Sequence, residues 1–137
     1  MAEKMKLEMV TPYKKVLSEE VDEIIAPGIV GELGLLPGHT PLLTTLKIGE
    51  LTYRKNGAAF HVAVNWGYLE VEDDTVTVLA ETAEPADEID LARAQAALGR
   101  AETALKTLTP EDKNYRIMEA ALERALIRIQ VAGKKVR

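Results

Sequence analysis

The sequence has two histidines, His39 and His61, and the first of them lies near a carboxylate that could join it in acid–base chemistry. Glu32 and His39 lie in one glycine- and proline-rich stretch and could form an acid–base pair. A hydrogen-bonded turn histidine beside an exposed acid is the more common arrangement, since no paired nucleophile or second carboxylate accompanies them. His61 alternates with Phe60 and Val62, as in a strand, and shares no HExxH-type spacing with His39, so no metal site is indicated.

The stretch over residues 26–51, APGIVGELGLLPGHTPLLTTLKIGEL, lacks the loop motifs that bind phosphate groups. It has neither the Gly-Lys-Ser/Thr ending of a Walker loop nor a GxGxxG dinucleotide fingerprint. Its Pro-Gly pairs and spaced glycines permit sharp changes of backbone direction, and we expect a turn-dense loop there. The sequence contains no cysteine, which excludes disulfides, thiolate catalysis and cysteine-based zinc sites.

The composition is that of an ordinary soluble domain, with 137 residues, 47% apolar, 28% charged and a formal net charge of −5. These values exclude a disordered chain and a strongly basic nucleic-acid binder. The longest charge-free stretches, residues 33–46 and 56–69, have 14 residues each and are too short to span a bilayer. The N-terminal residues include no apolar region, so we expect no signal peptide.

The charge is divided unevenly along the chain. Residues 1–84 carry 7 basic and 14 acidic side chains, a net −7, whereas residues 85–137 carry 10 basic and 8 acidic ones, a net +2. Most glycines and aromatic residues lie in the first part, while the second is rich in the helix-forming residues Ala, Leu and Arg. We therefore expect two parts, residues 1–84 and 85–137, with a boundary within residues 83–87.

The first part has the two-residue alternation of β-strands. Two-residue turns are predicted at Asn56 with Gly57, a strong hairpin signal, and at Asp73 with Asp74. Short strands with frequent turns indicate an antiparallel sandwich or barrel. The inward positions of the predicted strands include Met5, Leu7, Met9, Leu51, Tyr53, Phe60, Val62, Val64, Leu69, Val71, Val76, Val78 and Ala80.

The second part has the alternating three- and four-residue spacing of two helices packed antiparallel. Thr109 is expected to cap the second helix and Pro110 to occupy its first position, which predicts an αα-hairpin and an α+β fold overall. Four of the thirteen seam positions are alanine, and alanine contributes much less on burial than leucine, so the hairpin is expected to pack closely but weakly. The predicted seam consists of Leu91, Ala94, Leu98, Ala101, Leu105, Leu108, Tyr115, Met118, Leu122, Ala125, Ile129, Ala132 and Val136.

Two stretches resemble the epsilon subunits of bacterial F-type ATP synthases: GELGLLPGHTPLLTTLKIGEL over residues 31–51 and IDLARA over residues 89–94. The length and the two-part organisation are also similar, so the resemblance covers essentially the whole chain. It implies an N-terminal antiparallel β-sandwich over residues 1–84 that contacts partners. It also implies a C-terminal helical hairpin over residues 85–137 that regulates the complex. This fold agrees with the one that the residue patterns predict.

The resemblance implies a non-catalytic subunit of a proton-transporting complex. Such subunits belong to the central stalk, bind the gamma subunit, sit against the ring of c subunits and couple proton-driven rotation to ATP synthesis. Their hairpin can extend toward the alpha/beta catalytic head and inhibit ATP hydrolysis. Glu32 and His39 become candidate c-ring contacts. The expected location is the cytoplasmic side of the cell membrane, held peripherally by partners without insertion, and no nucleic-acid partner is implied.

Some members of this family bind ATP through the hairpin, and the chain matches their pattern. Asp90 and Arg93 stand in the Ile-Asp-x-x-Arg-Ala stretch, Arg124 and Arg128 lie four apart on the second helix, and Glu84 matches a further position. The two arginines share one helical face, and guanidinium groups bind phosphate oxygens in pairs of hydrogen bonds. Asp90 could accept hydrogen bonds from a base or a ribose. The resemblance implies no required cofactor, only ATP as a regulatory ligand.

A purely structural role also accounts for these charges. Asp90 suits a helix N-terminus through the macrodipole, and Arg124 and Arg128 could belong to a solvated helix face. Two other functions remain beside a rotor subunit that regulates hydrolysis. The first is a freestanding nucleotide-binding sensor built on the same hairpin, and the second is a small hydrolase that uses Glu32 and His39.

Overall fold

The computed structural model describes residues 3–134 and consists of a β-sandwich followed by two antiparallel helices, which confirms the predicted α+β fold. A 3₁₀ turn, Ala86–Glu88, joins the two parts. The elements are β1 Met5–Val10, β2 Lys15–Val21, β3 Glu23–Gly28, β4 Gly31–Leu35, β5 Leu42–Leu46, β6 Gly49–Lys55, β7 Ala58–Glu72, β8 Thr75–Pro85, α1 Leu91–Lys106 and α2 Tyr115–Ala132.

The long strand β7 organises the sheet. It pairs with β8 on one side, and on the other side its first half pairs with β6 and its second half with β5. The strand order is β2-β1-β8-β7-β5-β3-β4, with β6 bridging β3 and β7. The pairs are antiparallel except β1 with β8, which is parallel. Strand β7 therefore connects β8 on one side with β5 and β6 on the other.

The predicted alternation decides which side chains enter the core. Leu7 and Met9 of β1 and Val76 and Val78 of β8 are fully buried inside the sandwich. Each such side chain contributes about 1.5–3 kcal/mol on burial. The sandwich therefore has a core of its own, to which no helical side chain among residues 3–134 contributes.

Both predicted two-residue turns are confirmed. Asn56 and Gly57 have φ angles of 51° and 83°, and they connect β6 with β7. Asp73 and Asp74 have φ angles of 48° and 57°, and they connect β7 with β8. Left-handed conformations at both central residues match the right-handed twist of the flanking strands, which explains why these residue pairs turn the chain here.

The prediction of a turn-dense loop over residues 26–51 is wrong. This stretch contains the end of β3, all of β4 and β5, and the start of β6. Gly28 and Gly31 face each other across a tight turn, so the glycines lie at the ends of strands that pair. Leu35 and Leu46 are buried in the sandwich core, and this tertiary burial stabilises strands too short to be recognised by their own alternation.

The two helices form the predicted antiparallel hairpin. Seam residues of both are buried or half-buried, but Leu91, in the first turn of α1, is 42% exposed. Val136, the last predicted seam position, lies outside the described residues. Within residues 3–134, neither helix is long and apolar enough to cross a membrane.

The prediction that Thr109 and Pro110 begin the second helix is wrong, because α2 begins at Tyr115. The carbonyl of Thr109 accepts a hydrogen bond from the backbone nitrogen of Asp112 at 2.9 Å. The side chain of Asp112 in turn accepts one from the backbone nitrogen of Asn114 at 3.0 Å. Aspartate favours such local bonds over a helix, so the connection extends to residue 114 before α2 starts.

Candidate functional site

The hairpin docks on the outer face of the sandwich through a small apolar contact. Val131 and Ala132, at the end of α2, are buried against Ala63 of β7, and Ile89, just before α1, joins the same cluster. Two of these four side chains are alanine, whose burial contributes little. The docked hairpin must therefore be held in part by polar contacts.

A cavity of about 550 Å³ lies between the sandwich and the hairpin. It brings together Glu84 from β8, Arg93 from α1, and Arg124 and Arg128 from α2, which are four of the five predicted ATP-binding residues. A volume of this size falls within the usual range for small-molecule sites. Its other lining residues are Asn65, Glu81, Thr82, Ala97, Ala121 and Ala125.

The arginines of this cavity differ in their partners. Arg128 forms a two-point ion pair with Glu84, in which Nε lies 2.7 Å from Oε1 and Nη2 donates to Oε2 at 3.2 Å. Arg93 and Arg124 have no ion-pair partner within residues 3–134. Two guanidinium groups without a carboxylate partner give the cavity the chemistry of an anion site, suited to phosphate oxygens.

Asp90 does not line the cavity but stands at the start of α1. Its Oδ1 accepts a hydrogen bond from the backbone nitrogen of Arg93 at 3.0 Å, so its side chain caps the helix. An aspartate cap satisfies one of the free backbone donors of a helix and contributes about 1 kcal/mol. In this structure Asp90 thus holds the turn from which Arg93 projects.

Asn65 of β7 also lines the cavity, although no sequence motif indicates it. It is only 6% exposed, and its Oδ1 has no hydrogen-bond partner within the described residues. The available signal is a polar residue following the apolar run at 62–64 of a strand. Because Val62 and Val64 face the core, the alternation places Asn65 on the outer face of the strand. That this face is buried depends on the docked helices, which the local sequence does not reveal.

A second polar cluster centres on Glu50 of β6, a residue that no sequence motif indicates. Lys134 donates to both carboxylate oxygens at 3.0 and 2.9 Å, and Gln130 of α2 donates to Oε1 at 3.1 Å. Thr52 donates to Oε2 at 3.2 Å, and Nδ1 of His61 lies 3.2 Å from the same oxygen. The carboxylate thus connects the end of the hairpin to the sandwich.

Charge holds Glu50 in its ionised form. Burial by itself raises the pKa of this carboxyl, but hydrogen bonds from Lys134 and Gln130 and the charges of Lys134 and His61 outweigh it, so its pKa lies below the usual 4.5. A carboxyl whose pKa is lowered in the folded protein stabilises the folded state at pH values above its pKa in the unfolded chain. This stabilisation is lost as the pH falls through the folded pKa, that is, below about 4.5.

Replacing Glu50 with Gln is expected to loosen the docked hairpin by about 1 kcal/mol, because the ion pair with Lys134 is lost while the shape is kept. Hydrogen exchange of the amides in α2 should become faster at neutral pH, and the difference from the unaltered protein should shrink below pH 4.5. Glu70→Gln, on the exposed side of β7, removes the same charge and is expected to change nothing. Equal exchange rates in both variants would contradict this prediction.

Glu32 and His39, the candidate ring contacts, lie apart from the cavity. Glu32 is exposed on β4, and His39 follows β4, with its Nδ1 2.7 Å from the carbonyl oxygen of Thr40. No hydrogen bond or ion pair joins the two side chains in the described part of the chain. Val30, in the turn before β4, is 96% exposed. This edge of the sandwich therefore offers an exposed acid beside an exposed apolar side chain.

A shallow groove of about 760 Å³ crosses a different part of the sandwich surface. Trp66, Tyr68 and Leu79 are 45%, 56% and 52% exposed there, and Ile29 lies beside them. Monomeric proteins rarely expose large contiguous apolar patches, and those that exist commonly mark protein–protein contacts. The groove has the character of a docking surface.

Two family models match almost the whole chain. One, described as ATP synthase, Delta/Epsilon chain, beta-sandwich domain, matches residues 4–86. The other, described as ATP synthase, Delta/Epsilon chain, long alpha-helix domain, matches residues 87–133. The two matches meet where the sandwich ends and the hairpin begins.

Curated relatives and a solved structure are similar over nearly the same length. The ATP synthase epsilon chain of Citrifermentans bemidjiense is 77% identical over 137 residues, 100% of this chain and 99% of that protein. The ATP synthase epsilon chain of Geobacter sulfurreducens is 74% identical over the same lengths. A chain of the Euglena gracilis mitochondrial ATP synthase (OSCP/F1/c-ring) is 26% identical with a TM-score of 0.78, covering 94% of this chain and 81% of that one.

Proposed function

Since the chain belongs to the family of ATP synthase epsilon subunits, we propose that it is a non-catalytic central-stalk subunit that couples proton-driven rotation to ATP synthesis in the alpha/beta head. The similarity of its full length to curated epsilon chains supports this role. The match to a chain from a solved assembly of F1 with a c-ring supports a place at the rotor.

The gamma subunit is the proposed partner of the apolar groove. Trp66, Tyr68 and Leu79 offer aromatic and aliphatic contact surface, and aromatic residues are enriched at the centres of protein interfaces. The groove lies on the sandwich rather than on the hairpin. A contact there leaves the hairpin free to change position while the subunit stays bound.

The c-ring is the proposed partner of the edge that carries Glu32 and His39. Val30 supplies apolar contact area, and Glu32 is open to pair with a basic group of the ring. A mixed polar and apolar edge suits a contact that assembles on a water-exposed surface. Binding there would hold the protein peripherally on the cytoplasmic side of the cell membrane.

The hairpin is proposed to inhibit ATP hydrolysis by leaving the sandwich and extending toward the alpha/beta head. The modest apolar contact at Ala63 and Val131 supports a hairpin that can undock. Its basic side chains would meet acidic surface on the head. These side chains are Arg116, Arg124, Arg128, Lys134 and Lys135, of which Lys135 lies outside the described residues.

ATP is proposed to act as the regulatory ligand, bound in the cavity between the sandwich and the two helices. The observation that carries this proposal is the convergence of Arg93 and Arg124, without ion-pair partners in the described chain, beside the Arg128–Glu84 pair. A ligand at ten times its dissociation constant stabilises the bound form by about 1.4 kcal/mol. That amount suffices to favour a weakly docked hairpin, so low ATP would release it.

Reconstituted alpha/beta/gamma complexes that contain a chain without the hairpin are expected to hydrolyse ATP several-fold faster than complexes that contain the full-length chain. A chain that ends at Pro85 keeps every strand and the core of the sandwich. Both chains should co-purify with gamma, because the groove is unchanged. Unaltered hydrolysis would contradict inhibition by the hairpin. Failure of the full-length chain to bind gamma would contradict the rotor role and favour a freestanding nucleotide sensor.

A further inference from the structure

We propose that Asn65 is a nucleotide-contacting residue whose side-chain oxygen accepts a hydrogen bond from the exocyclic amine of an adenine base. This inference rests on the proposed ATP site and adds the residue that selects the base. It concerns a side chain of β7, whereas the predicted residues of the site lie on β8, at the start of α1, on α1 and on α2.

The burial of Asn65 is the first argument. It is 6% exposed and is the one buried polar residue among residues 3–134. Its Oδ1 accepts no hydrogen bond from the described residues. A buried carbonyl oxygen without a donor costs free energy, and proteins satisfy nearly all such groups. A hydrogen-bond donor on a bound ligand would satisfy this oxygen, so the site would favour ligands that carry such a donor.

The position of Asn65 is the second argument. It lines the same cavity as Arg93 and Arg124 but approaches from β7, whereas the arginines approach from the helices. A carboxamide oxygen accepts hydrogen bonds, as phosphate oxygens do, so the phosphates belong with the arginines and a donor-bearing part of the ligand belongs with Asn65. Ala97 and Ala121 add small apolar side chains to the lining, against which a planar base can lie.

The amide group also fits one base better than its closest analogue. An asparagine side chain pairs in two points with adenine, accepting from the exocyclic amine and donating to the neighbouring ring nitrogen N7. Hypoxanthine, the base of ITP, carries a carbonyl oxygen in place of that amine and would set acceptor against acceptor. Rotating the amide would repair this contact but would turn Oδ1 toward N7. Asn65 would therefore favour ATP over ITP.

Calorimetric titration of the full-length chain with ATP and with ITP tests the assignment. We expect the unaltered chain to prefer ATP by about tenfold, as for one buried hydrogen bond. In Asn65→Ala, ATP binding should weaken by about tenfold and the preference should fall to about one. The Tm of free Asn65→Ala should not decrease, because the substitution removes an unpaired buried oxygen. Asn114→Ala serves as the matched control. Asn114 precedes the first residue of α2, its side chain makes no capping hydrogen bond, and its replacement should leave the binding of both nucleotides unchanged.

The possible results separate this assignment from the ATP site itself. No binding of ATP by the unaltered chain at millimolar concentration would overturn both. If Arg124→Ala weakens ATP binding while Asn65→Ala keeps the ATP preference, the site stands and the role of Asn65 falls. Equal affinity of the unaltered chain for ATP and ITP would also overturn it. So would a lowered Tm with equal losses for both nucleotides in Asn65→Ala, which would show a structural role.

Discussion

Gly67→Ala is expected to destabilise the sandwich by more than about 3 kcal/mol, because a β-carbon at this position has no room. Gly67 lies in β7 between β5 and β8, and its added carbon would lie 2.0 Å from the carbonyl oxygen of Leu79. The obstacle is backbone of a central strand pair, so it can move only by breaking the ladder. Thermal unfolding followed by circular dichroism should show a Tm that is lower by about 10 °C or more.

Gly99→Ala is the matched control for this substitution. Gly99 lies in α1, and a β-carbon built there meets no atom within 4 Å. Alanine favours a helix over glycine by about 1 kcal/mol, so this variant should be as stable as the unaltered protein or more stable. If Gly67→Ala unfolded at the same temperature as Gly99→Ala, the close approach of β7 and β8 would be refuted.

Arg124→Ala is expected to weaken ATP binding by about 10- to 100-fold, the loss associated with hydrogen bonds between charged groups. Arg124 lines the cavity and has no ion-pair partner in the described part of the chain. Its removal therefore leaves no carboxylate unpaired, and the Tm without ATP should change little. Equilibrium titration with ATP, together with thermal unfolding without nucleotide, measures both effects.

Two further arginine variants serve as comparisons for Arg124→Ala. Arg116→Ala, exposed near the start of α2, removes the same charge and is expected to leave ATP binding unchanged. Arg128→Ala should lower both the affinity and the Tm, since it leaves the half-buried Glu84 without its partner. Equal affinity in Arg124→Ala and Arg116→Ala would argue against the cavity as the phosphate site, although inhibition of hydrolysis by the hairpin would stand.

Two contacts of opposite character hold the hairpin on the sandwich. Glu50 binds the end of α2 through Lys134 and Gln130. In the arginine cavity Glu84 pairs with Arg128, whereas Arg93 and Arg124 have no ion-pair partner in the described part of the chain. The first favours docking at neutral pH without any ligand. At the second, the Arg128–Glu84 ion pair favours docking without a ligand, and an anion that neutralises Arg93 and Arg124 would favour it further. A ligand can therefore shift the docked state because part of the interface is incomplete without it.

Most of the architecture was predictable from local patterns. The alternation around Leu7 and Val78 predicted buried strands, and Asn56 with Gly57 predicted the hairpin turn. These signals are local because strand periodicity and left-handed turns depend on neighbouring residues. The helical seam was predictable for the same reason, as Ala101 and Ala125 are buried where the spacing placed them.

The wrong predictions concern segments whose structure depends on distant parts of the chain. Strands β4 and β5 are five residues each and persist because they pair with β3 and β7. The start of α2 was misplaced because the turn at Asp112 competes with the helix signal of Thr109 and Pro110. A short segment carries too little information to show which of two local structures its neighbours will stabilise.

The sequence by itself determined the two-part α+β organisation, the division of charge into −7 and +2, and the four arginine and glutamate positions of the candidate site. Only the tertiary structure decided that Glu84, Arg93, Arg124 and Arg128 converge, that Asp90 caps α1, and that Asn65 and Glu50 face the docked hairpin. The physical reason is that spacing along one helix or strand specifies a face. Which faces meet depends on packing between elements far apart in the chain.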